Sequence, residues 1–178
     1  IIALAEKHGL ATTLVSNGEL ITADRLSELR GFNNMVQLAV SLDSLKGERH
    51  KFFRGKDNVQ QVIHAIELLK NAQLKTSIKI NMVLSRENVD EIDEMLAFSK
   101  DTGVYLTVIP VNNRKTVAGG YHHKPSDELK PDDAQSREIA EAFERLHRMK
   151  KAGMTPLWDH SDFYLHAKKY SLGLPMAP

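Results

Sequence analysis

The feature that most restricts the fold of this chain is a regular alternation of strand-patterned and helix-patterned segments along its 178 residues. Runs of apolar and β-branched residues bounded by turn residues predict strands at 11–15, 35–42, 76–84 and 104–111. Apolar residues at helical spacing predict helices at 22–30, 57–71, 88–103 and 132–152. Strands that alternate with helices form parallel sheets through right-handed crossovers, so an α/β protein is predicted.

The pattern of the second strand favours a barrel over a sheet covered on both faces. One row is apolar and contains Val36, Leu38, Val40 and Leu42. The intervening positions are Gln37, Ala39, Ser41 and Asp43. A sheet with helices on both faces is apolar on both, whereas a polar face that leads to a strand end suits a barrel with its site at the carboxyl ends of the strands. We therefore predict a partial (βα) TIM-like barrel with parallel strands and flanking helices.

Local signals refine this outline. Thr22 is predicted to cap the first of these helices, and Asn88 with Glu91 resembles a capping box. A short strand is expected around 156–158 and an amphipathic segment at 162–170, after a loop at 112–131 that contains Gly119-Gly120. No glycine-rich fingerprint for nucleotides follows any of the predicted strands.

Composition excludes several classes of function. Lys and Arg number 24 against 23 Asp and Glu, and this near-neutral charge argues against a nucleic-acid partner. No apolar run approaches the length of a membrane-spanning helix, so no membrane partner is expected. The chain has no cysteine, which excludes disulfides, a thiol nucleophile and thiolate ligands from this chain. No secretory signal opens the sequence, so a cytoplasmic location is predicted.

Polar residues follow the predicted strands, where functional residues of such folds lie. The segments are Ser16-Asn17-Gly18, Ser41-Leu42-Asp43-Ser44, 84–88 and 109–113. They offer hydroxyls, amides and a carboxylate but no obvious general base. This set suits binding of a hydroxylated, charged small molecule better than acid–base hydrolysis, and it identifies no catalytic residue.

Taken in order, these segments resemble the core of radical S-adenosylmethionine enzymes. The resemblance is greatest to the branch with peptide-modifying and cofactor-maturing members. It covers residues 1–111 and rests on Val15-Ser16-Asn17-Gly18, on 40–44, on His50 with Arg54-Gly55, and on 80–84 with Asn88. Each motif alone is weak, but four in order at strand ends are specific.

The resemblance implies a set of cofactor-binding residues. Ser16 and Asn17, with Gly18, would lie beside S-adenosylmethionine. Ser41 and Arg54 would lie near its ribose and its amino-acid carboxylate. Asp43 would shape the same region or face the substrate, and Ile109 would flank the adenine.

The chain also departs from the family pattern. The usual Thr before Asn-Gly is Ser16, Lys51 stands where an Asp often follows the histidine, and no glycine pair follows Gly55 in the customary place. The three-cysteine motif that ligates the 4Fe-4S cluster is missing. The resemblance therefore implies a C-terminal part of the barrel domain, with cluster ligands outside this chain.

For the whole enzyme, the resemblance implies reductive cleavage of S-adenosylmethionine at the cluster and hydrogen abstraction from an unknown small-molecule or peptide substrate, with an external electron donor. Residues 1–111 would form the matching core of one domain, and 112–178 its loop, long helix and substrate-side segment. Because the chain opens on Ile1 and ends in a loop-like stretch, we expect an excised piece that is inactive alone.

Other interpretations stay open. Asp43 could cap the segment that follows it, Arg54 could pair with Glu48 on the surface, and Ser16-Asn17 could be only a turn. The whole chain could be a non-catalytic (βα) module that binds a metabolite or a partner. An ordinary barrel aldolase or phosphate-binding enzyme would need a barrel lysine or a phosphate loop.

The histidines do not predict a metal site. Asp159, His160, Asp162 and His166 form the densest group, but no second helix supplies matching ligands. His147 beside Arg148 is interpreted as part of a solvated helix face.

Overall fold

The computed structural model describes residues 1–111, 131–154 and 156–175. The helices are α1 (Ile2–Lys7), α2 (Ala23–Leu29), α3 (Gly47–Arg54), α4 (Val59–Asn71), α5 (Ile92–Thr102), α6 (Asp133–Lys151) and α7 (Ser161–Ser171). The strands are β1 (Thr12–Ser16), β2 (Met35–Ser41), β3 (Ser77–Leu84) and β4 (Tyr105–Pro110), and a 3₁₀ turn spans Val89–Glu91. The predicted strands and helices are confirmed to within a few residues at each end.

The four strands form one sheet in the order β1-β2-β3-β4, which is also their order along the chain. β1 pairs in parallel with β2, and β2 pairs in parallel with β3. Each strand is followed by helical structure, as right-handed crossovers require. The α/β class with parallel strands and flanking helices is confirmed.

Register assigns the two faces of the sheet. Ala39 lies beside Val15 and Lys79, whereas Leu38 lies beside Leu14 and Ile78. Residues in register share a face, so the row of Leu38 and Val40 is distinct from that of Gln37, Ala39 and Ser41. The former row is fully buried against helices, as predicted.

Val36 departs from the predicted apolar row. Thr12 pairs with Met35 and Thr13 pairs with Gln37, so Val36 is the extra residue of a bulge. Its side chain is 53% exposed instead of buried. A bulge changes the alternation of faces, and the sequence pattern alone did not reveal it.

The chain divides into two compact units, the first formed by Ile1–Met82, Asp93–Thr107 and 156–158. In this unit α4 packs its apolar stripe inward; the stripe is Val59, Val62, Ala65, Ile66 and Leu69. The predicted strand around 156–158 is an isolated parallel bridge between Leu157 and Leu106. Backbone hydrogen bonds of Leu106 to Pro156 and of Trp158 to Leu106 hold it at β4.

The second unit contains 83–92 and the described residues of 108–154 and 159–178. Here α6 begins with a capping box between Asp132 and Gln135, and it packs on α7 through Phe143 and Leu146. His147 is buried in this unit, and its Nδ1 lies 2.8 Å from the carbonyl oxygen of Ser161. The prediction of a solvated His147 is wrong, because the histidine joins α6 to the start of α7.

Two further local predictions need correction. Asn88 precedes the 3₁₀ turn, but its side chain makes no capping hydrogen bond. Its Oδ1 accepts from the amide of Ser85 at 2.9 Å, and its Nδ2 donates to the carbonyl of Val83. Helix α3 was not predicted, since its only buried residue is His50 and it has no apolar stripe.

The predicted loop at 112–131, including Gly119-Gly120, lies almost wholly outside the described residues. In the part of the chain that the structure describes, no helix combines the length and apolar character needed to cross a membrane.

Candidate functional site

The turn that follows β1 is built by its own side chains. Ser16 Oγ accepts a hydrogen bond from the amide of Gly18 at 3.0 Å, and Asn17 Oδ1 accepts one from the amide of Glu19 at 3.2 Å. Ser16 lies in register with Val40, on the side of the sheet that faces helices. Both side chains therefore shape the turn, and Asn17 is exposed.

Gly18 fits the turn closely against the rest of the unit. Its φ is 85°, and a Cβ there would lie 3.3 Å from Val40 and 3.4 Å from Val62. A side chain would meet both the strain of a positive φ and the packed surface of β2 and α4.

Glu19 connects this turn to the start of α4. Its carboxylate accepts from Asn58 Nδ2 at 3.0 Å and pairs with Lys56 Nζ at 3.2 Å. Its backbone carbonyl accepts from Gln61 Nε2 at 3.0 Å. Three donors from one short segment thus converge on a single residue of the β1–α2 loop. Sequence analysis did not identify Glu19, because its donors lie far along the chain.

Asp43 and Arg54 form an ion pair where β2 and α3 end. Arg54 Nε lies 2.5 Å from Asp43 Oδ2. The Asp43 side chain is 1% exposed and that of Arg54 is 32% exposed. The pairing of Arg54 with Glu48 does not form; its partner is Asp43. The terminal amino groups of the guanidinium make no hydrogen bond to any residue that the structure describes.

His50 lies in the same helix and is buried beside this pair. Removal from water lowers the pKa of His50, the Asp43 carboxylate opposes this effect, and the Arg54 guanidinium adds to it. Asn58 and Asp57 also raise this pKa. The imidazole is therefore neutral at pH 7 and adds no charge beside the ion pair.

Ser41 extends this group along the polar face of the sheet. It lies in register with Asn81 of β3, and the backbone amide of Leu42 donates to the carbonyl of Asn81 at 3.0 Å. The Asn81 side-chain oxygen is buried without a hydrogen-bond partner among the described residues. Hydroxyl, carboxamide, carboxylate and guanidinium groups thus occur at or near the carboxyl ends of β2 and β3.

The polar face also carries a lysine that sequence analysis did not single out. Lys79 lies in register with Ala39, and its ammonium is 5.9 Å from the ring centre of Trp158. Trp158 packs edge-on against Tyr105 of β4. Lys79 has no carboxylate partner within 1–111, 131–154 and 156–175. The signal was a charged residue between Ile78 and Ile80 in a strand, where an apolar residue is the norm.

Ile109 belongs to the second unit and is half-buried on β4. In the same unit, the amide of Val111 donates to the carbonyl of Leu84, and Asn88 holds the turn after β3 through Ser85 and Val83.

His160 and Asp162 form an exposed contact in which the amide of Asp162 donates to His160 Nδ1 at 3.4 Å. No group of three His, Cys, Asp or Glu in the described segments is placed to hold a metal ion. His160 instead caps α7.

The family resemblance implies two bound groups, S-adenosylmethionine and a 4Fe-4S cluster. The residues of this chain fit the first and not the second. A 4Fe-4S cluster requires thiolate ligands, and the chain has no cysteine, so its residues do not fit the cluster. S-adenosylmethionine carries a carboxylate and a ribose. The guanidinium of Arg54, whose terminal amino groups have no partner among the described residues, and the hydroxyl of Ser41 match these groups chemically.

Comparison with known proteins gives a consistent assignment. Residues 1–99, more than half of the chain, match the Radical SAM superfamily model. A mycofactocin maturase, MftC, from Mycolicibacterium smegmatis is 28% identical over 78% of this chain and 34% of its own length. A probable GTP 3',8-cyclase from Pyrococcus abyssi is 29% identical over 85% of this chain and 49% of its own length.

Among solved structures, Streptococcus suis SuiB bound to S-adenosylmethionine matches with a TM-score of 0.66 at 15% identity. The match covers 88% of this chain and 34% of SuiB, and at this identity it shows similarity of fold. The chain thus spans between a third and a half of the length of these proteins. The match of 1–99 to the family model, together with the parallel sheet and its polar strand ends, assigns the chain to the radical SAM superfamily.

Proposed function

We propose that this chain is the S-adenosylmethionine-binding portion of a radical SAM enzyme. Arg54 binds the amino-acid carboxylate of the cofactor, Ser41 binds its ribose, and the Ser16–Gly18 turn lies beside it. Asp43 orients Arg54, and the role of Ile109 beside the adenine stays a prediction from the family resemblance. The reaction belongs to the whole enzyme, where a 4Fe-4S cluster ligated outside this chain would supply the electron for reductive cleavage; the residues named here would hold S-adenosylmethionine.

The observation that carries the proposal is the geometry of the Asp43–Arg54 pair. Asp43 accepts from Nε of the guanidinium, and the two terminal amino groups make no hydrogen bond to any residue that the structure describes. Those two groups form the edge that binds a carboxylate through parallel hydrogen bonds. The buried carboxylate of Asp43 also balances the charge of Arg54.

The substrate belongs to the proposal at a coarser level. The relatives include a maturase and a GTP cyclase, which are enzymes of different kinds. We therefore propose only that the substrate is a peptide or a small molecule. The cytoplasmic location, like the external electron donor, stays a prediction from the sequence. Acid–base catalysis is assigned to no residue of this chain.

The test is Arg54→Lys in the full-length enzyme, because lysine keeps the charge that Asp43 requires but lacks the planar fork. We expect affinity for S-adenosylmethionine, measured by isothermal titration calorimetry, to fall by roughly tenfold or more, the value of one or two hydrogen bonds to charged groups. Cluster content, measured as iron per protein, should change much less.

Arg25→Lys is the matched control, since Arg25 is exposed on α2 and pairs only with Glu28. It should leave both affinity and iron content unchanged. Equal affinity in Arg54→Lys, Arg25→Lys and the unaltered enzyme would remove Arg54 from the site.

A further inference from the structure

We infer that Glu19 is a positioning residue for S-adenosylmethionine: it fixes the Ser16–Gly18 turn to the segment that begins at Arg54, and so sets the distance between two parts of the binding site. The inference rests on the proposed function. Glu19 acts through the turn, and its carboxylate is already occupied by other partners.

The first argument is the number and origin of the contacts to Glu19. Its carboxylate receives Asn58 at 3.0 Å and Lys56 at 3.2 Å, and its carbonyl receives Gln61 at 3.0 Å. These donors span only six positions of the α3–α4 connection and the first turn of α4. The Glu19 side chain is 26% exposed, so the ion pair with Lys56 is partly shielded from solvent.

The second argument is where those donors lie relative to Arg54. Lys56 is two residues beyond Arg54, which is the last residue of α3, and Gly55 lies between them in the left-handed conformation at φ 75°. The connection therefore turns sharply and directly after the guanidinium-bearing residue. Because the Glu19 carboxylate binds Lys56 and Asn58, it restrains the connection that begins immediately after Arg54.

The third argument is that the side-chain hydrogen bonds of Ser16 and Asn17 do not tie the turn to α4, which leaves this connection to Glu19 and to the packing of Gly18. β1 is the first strand of the sheet order and pairs only with β2 among the described strands. The hydrogen bonds of Ser16 and Asn17 are internal to the loop. Gly18 contributes contact with Val40 and Val62, but such contact does not determine the direction of the exposed Asn17.

Asn58 also lies near the ion pair. The side chain that donates to Glu19 raises the pKa of His50, and Asp43 and Arg54 also shift the pKa of His50. The carboxylate of Glu19 therefore holds a side chain that belongs to the surroundings of the ion pair.

The experiment compares Glu19→Ala, Glu19→Gln and Glu28→Ala in the full-length enzyme. Glu28 is the matched control, because it also forms an ion pair, with Arg25, but lies on the exposed face of α2. Affinity for S-adenosylmethionine is measured by calorimetry. Hydrogen–deuterium exchange of 15–20 is measured in cofactor-free protein.

We expect Glu19→Ala to weaken binding by roughly three- to tenfold, the effect of losing about one net hydrogen bond. Exchange should rise in 15–20 and stay unchanged in β2. Glu19→Gln retains an acceptor for Asn58 and Lys56 and should recover most of the affinity, and Glu28→Ala should match the unaltered enzyme.

Two results overturn the inference alone: an affinity for Glu19→Ala equal to that of Glu28→Ala, or a loss that Glu19→Gln does not recover and that accompanies increased exchange throughout β2 and α4. The latter would make Glu19 a residue of general stability. Failure of the unaltered enzyme to bind S-adenosylmethionine would instead overturn the proposed function, and the inference with it.

Discussion

At the scale of single residues, the site is organised by one buried charge. Asp43 is almost fully removed from solvent, and a buried carboxylate is costly without a cation and hydrogen bonds. Arg54 supplies the cation through one edge only. His50 is buried beside this pair, and burial lowers its pKa, so the imidazole is neutral at pH 7 and the charge of the group changes only at lower pH.

This arrangement predicts a stability change near pH 6. The pKa of His50 is lowered in the folded protein, mainly by burial, from its ordinary value of 6.5. The unfolded chain therefore binds a proton at a pH where the folded protein does not, and folding stability falls as the pH decreases below about 6.5. Above about pH 6.5 the histidine is neutral in both states, and folding stability does not suffer this loss.

Urea unfolding at a series of pH values between 5 and 8 measures this effect. His50→Gln should have a flatter profile than the unaltered protein over that interval. His64→Gln is the control, since His64 is exposed on α4. Identical slopes for His50→Gln and the unaltered protein would show that another group accounts for the pH dependence.

The sequence singled out segments as candidates for the site, but it did not predict how their side chains pair. Asp43 and Arg54 were identified singly, by their position after a strand and by family resemblance. Their contact was not predicted, because it depends on the direction of α3, a helix with no apolar stripe. Glu19 and Lys79 carried no motif and acquired their significance from distant partners, Lys56 and Trp158.

At the scale of elements, the β1–α2 turn is the tightest fit between a predicted site segment and the core. Gly18 packs on both β2 and α4, whereas Gly55 also has a positive φ but has no atom within 4 Å of its would-be Cβ. Substitution at Gly55 therefore measures the cost of backbone strain alone, whereas substitution at Gly18 measures strain together with lost packing space.

Gly18→Ala should destabilise the protein by about 2–3 kcal/mol, and Gly55→Ala by about 1 kcal/mol. Chemical denaturation of both variants measures the difference. Adding Val62→Ala to Gly18→Ala should cost less than the sum of the two single changes, because it removes one of the two methyl groups that lie closest to the new Cβ. Equal losses for the two glycine variants would show that contact with Val40 and Val62 is not limiting.

Periodicity was sufficient for elements that bury an apolar stripe and insufficient for the others. α4 and α6 were predicted from their stripes, and the capping signal of Thr22 was correct, since its side chain accepts from the amide of Arg25. Asn88 has the same residue type as a helix cap, yet it closes the turn after β3. His147 was misassigned because its partner, the carbonyl of Ser161, lies beyond the next connection.

At the scale of the whole molecule, apolar side chains are exposed along the first 36 residues. Among the described residues, the large ones in this stretch are Ile1, Leu4, Leu10, Val15, Leu20 and Val36. Val15 is 58% exposed and lies on β1, whose outer edge pairs with no strand in the described part of the chain. An open edge with apolar side chains favours association between chains.

The isolated chain should therefore self-associate as its concentration rises, as measured by light scattering after size-exclusion chromatography. Val15→Lys should reduce association by placing a charge at the edge of the sheet. Leu20→Lys is the control, since Leu20 is 81% exposed but lies beyond the strand. A monodisperse monomer at all concentrations would show that the exposed edge of β1 does not drive association.

The strand order has a consequence for how the chain acquires its structure during synthesis. Because the order in the sheet is the order in the chain, each newly made strand pairs with the strand that immediately preceded it. The sheet can then grow in one direction as the ribosome releases each βα unit, without waiting for a distant segment. Contact order stays low for a parallel sheet, and the loop-closure entropy of each step is limited to a single crossover.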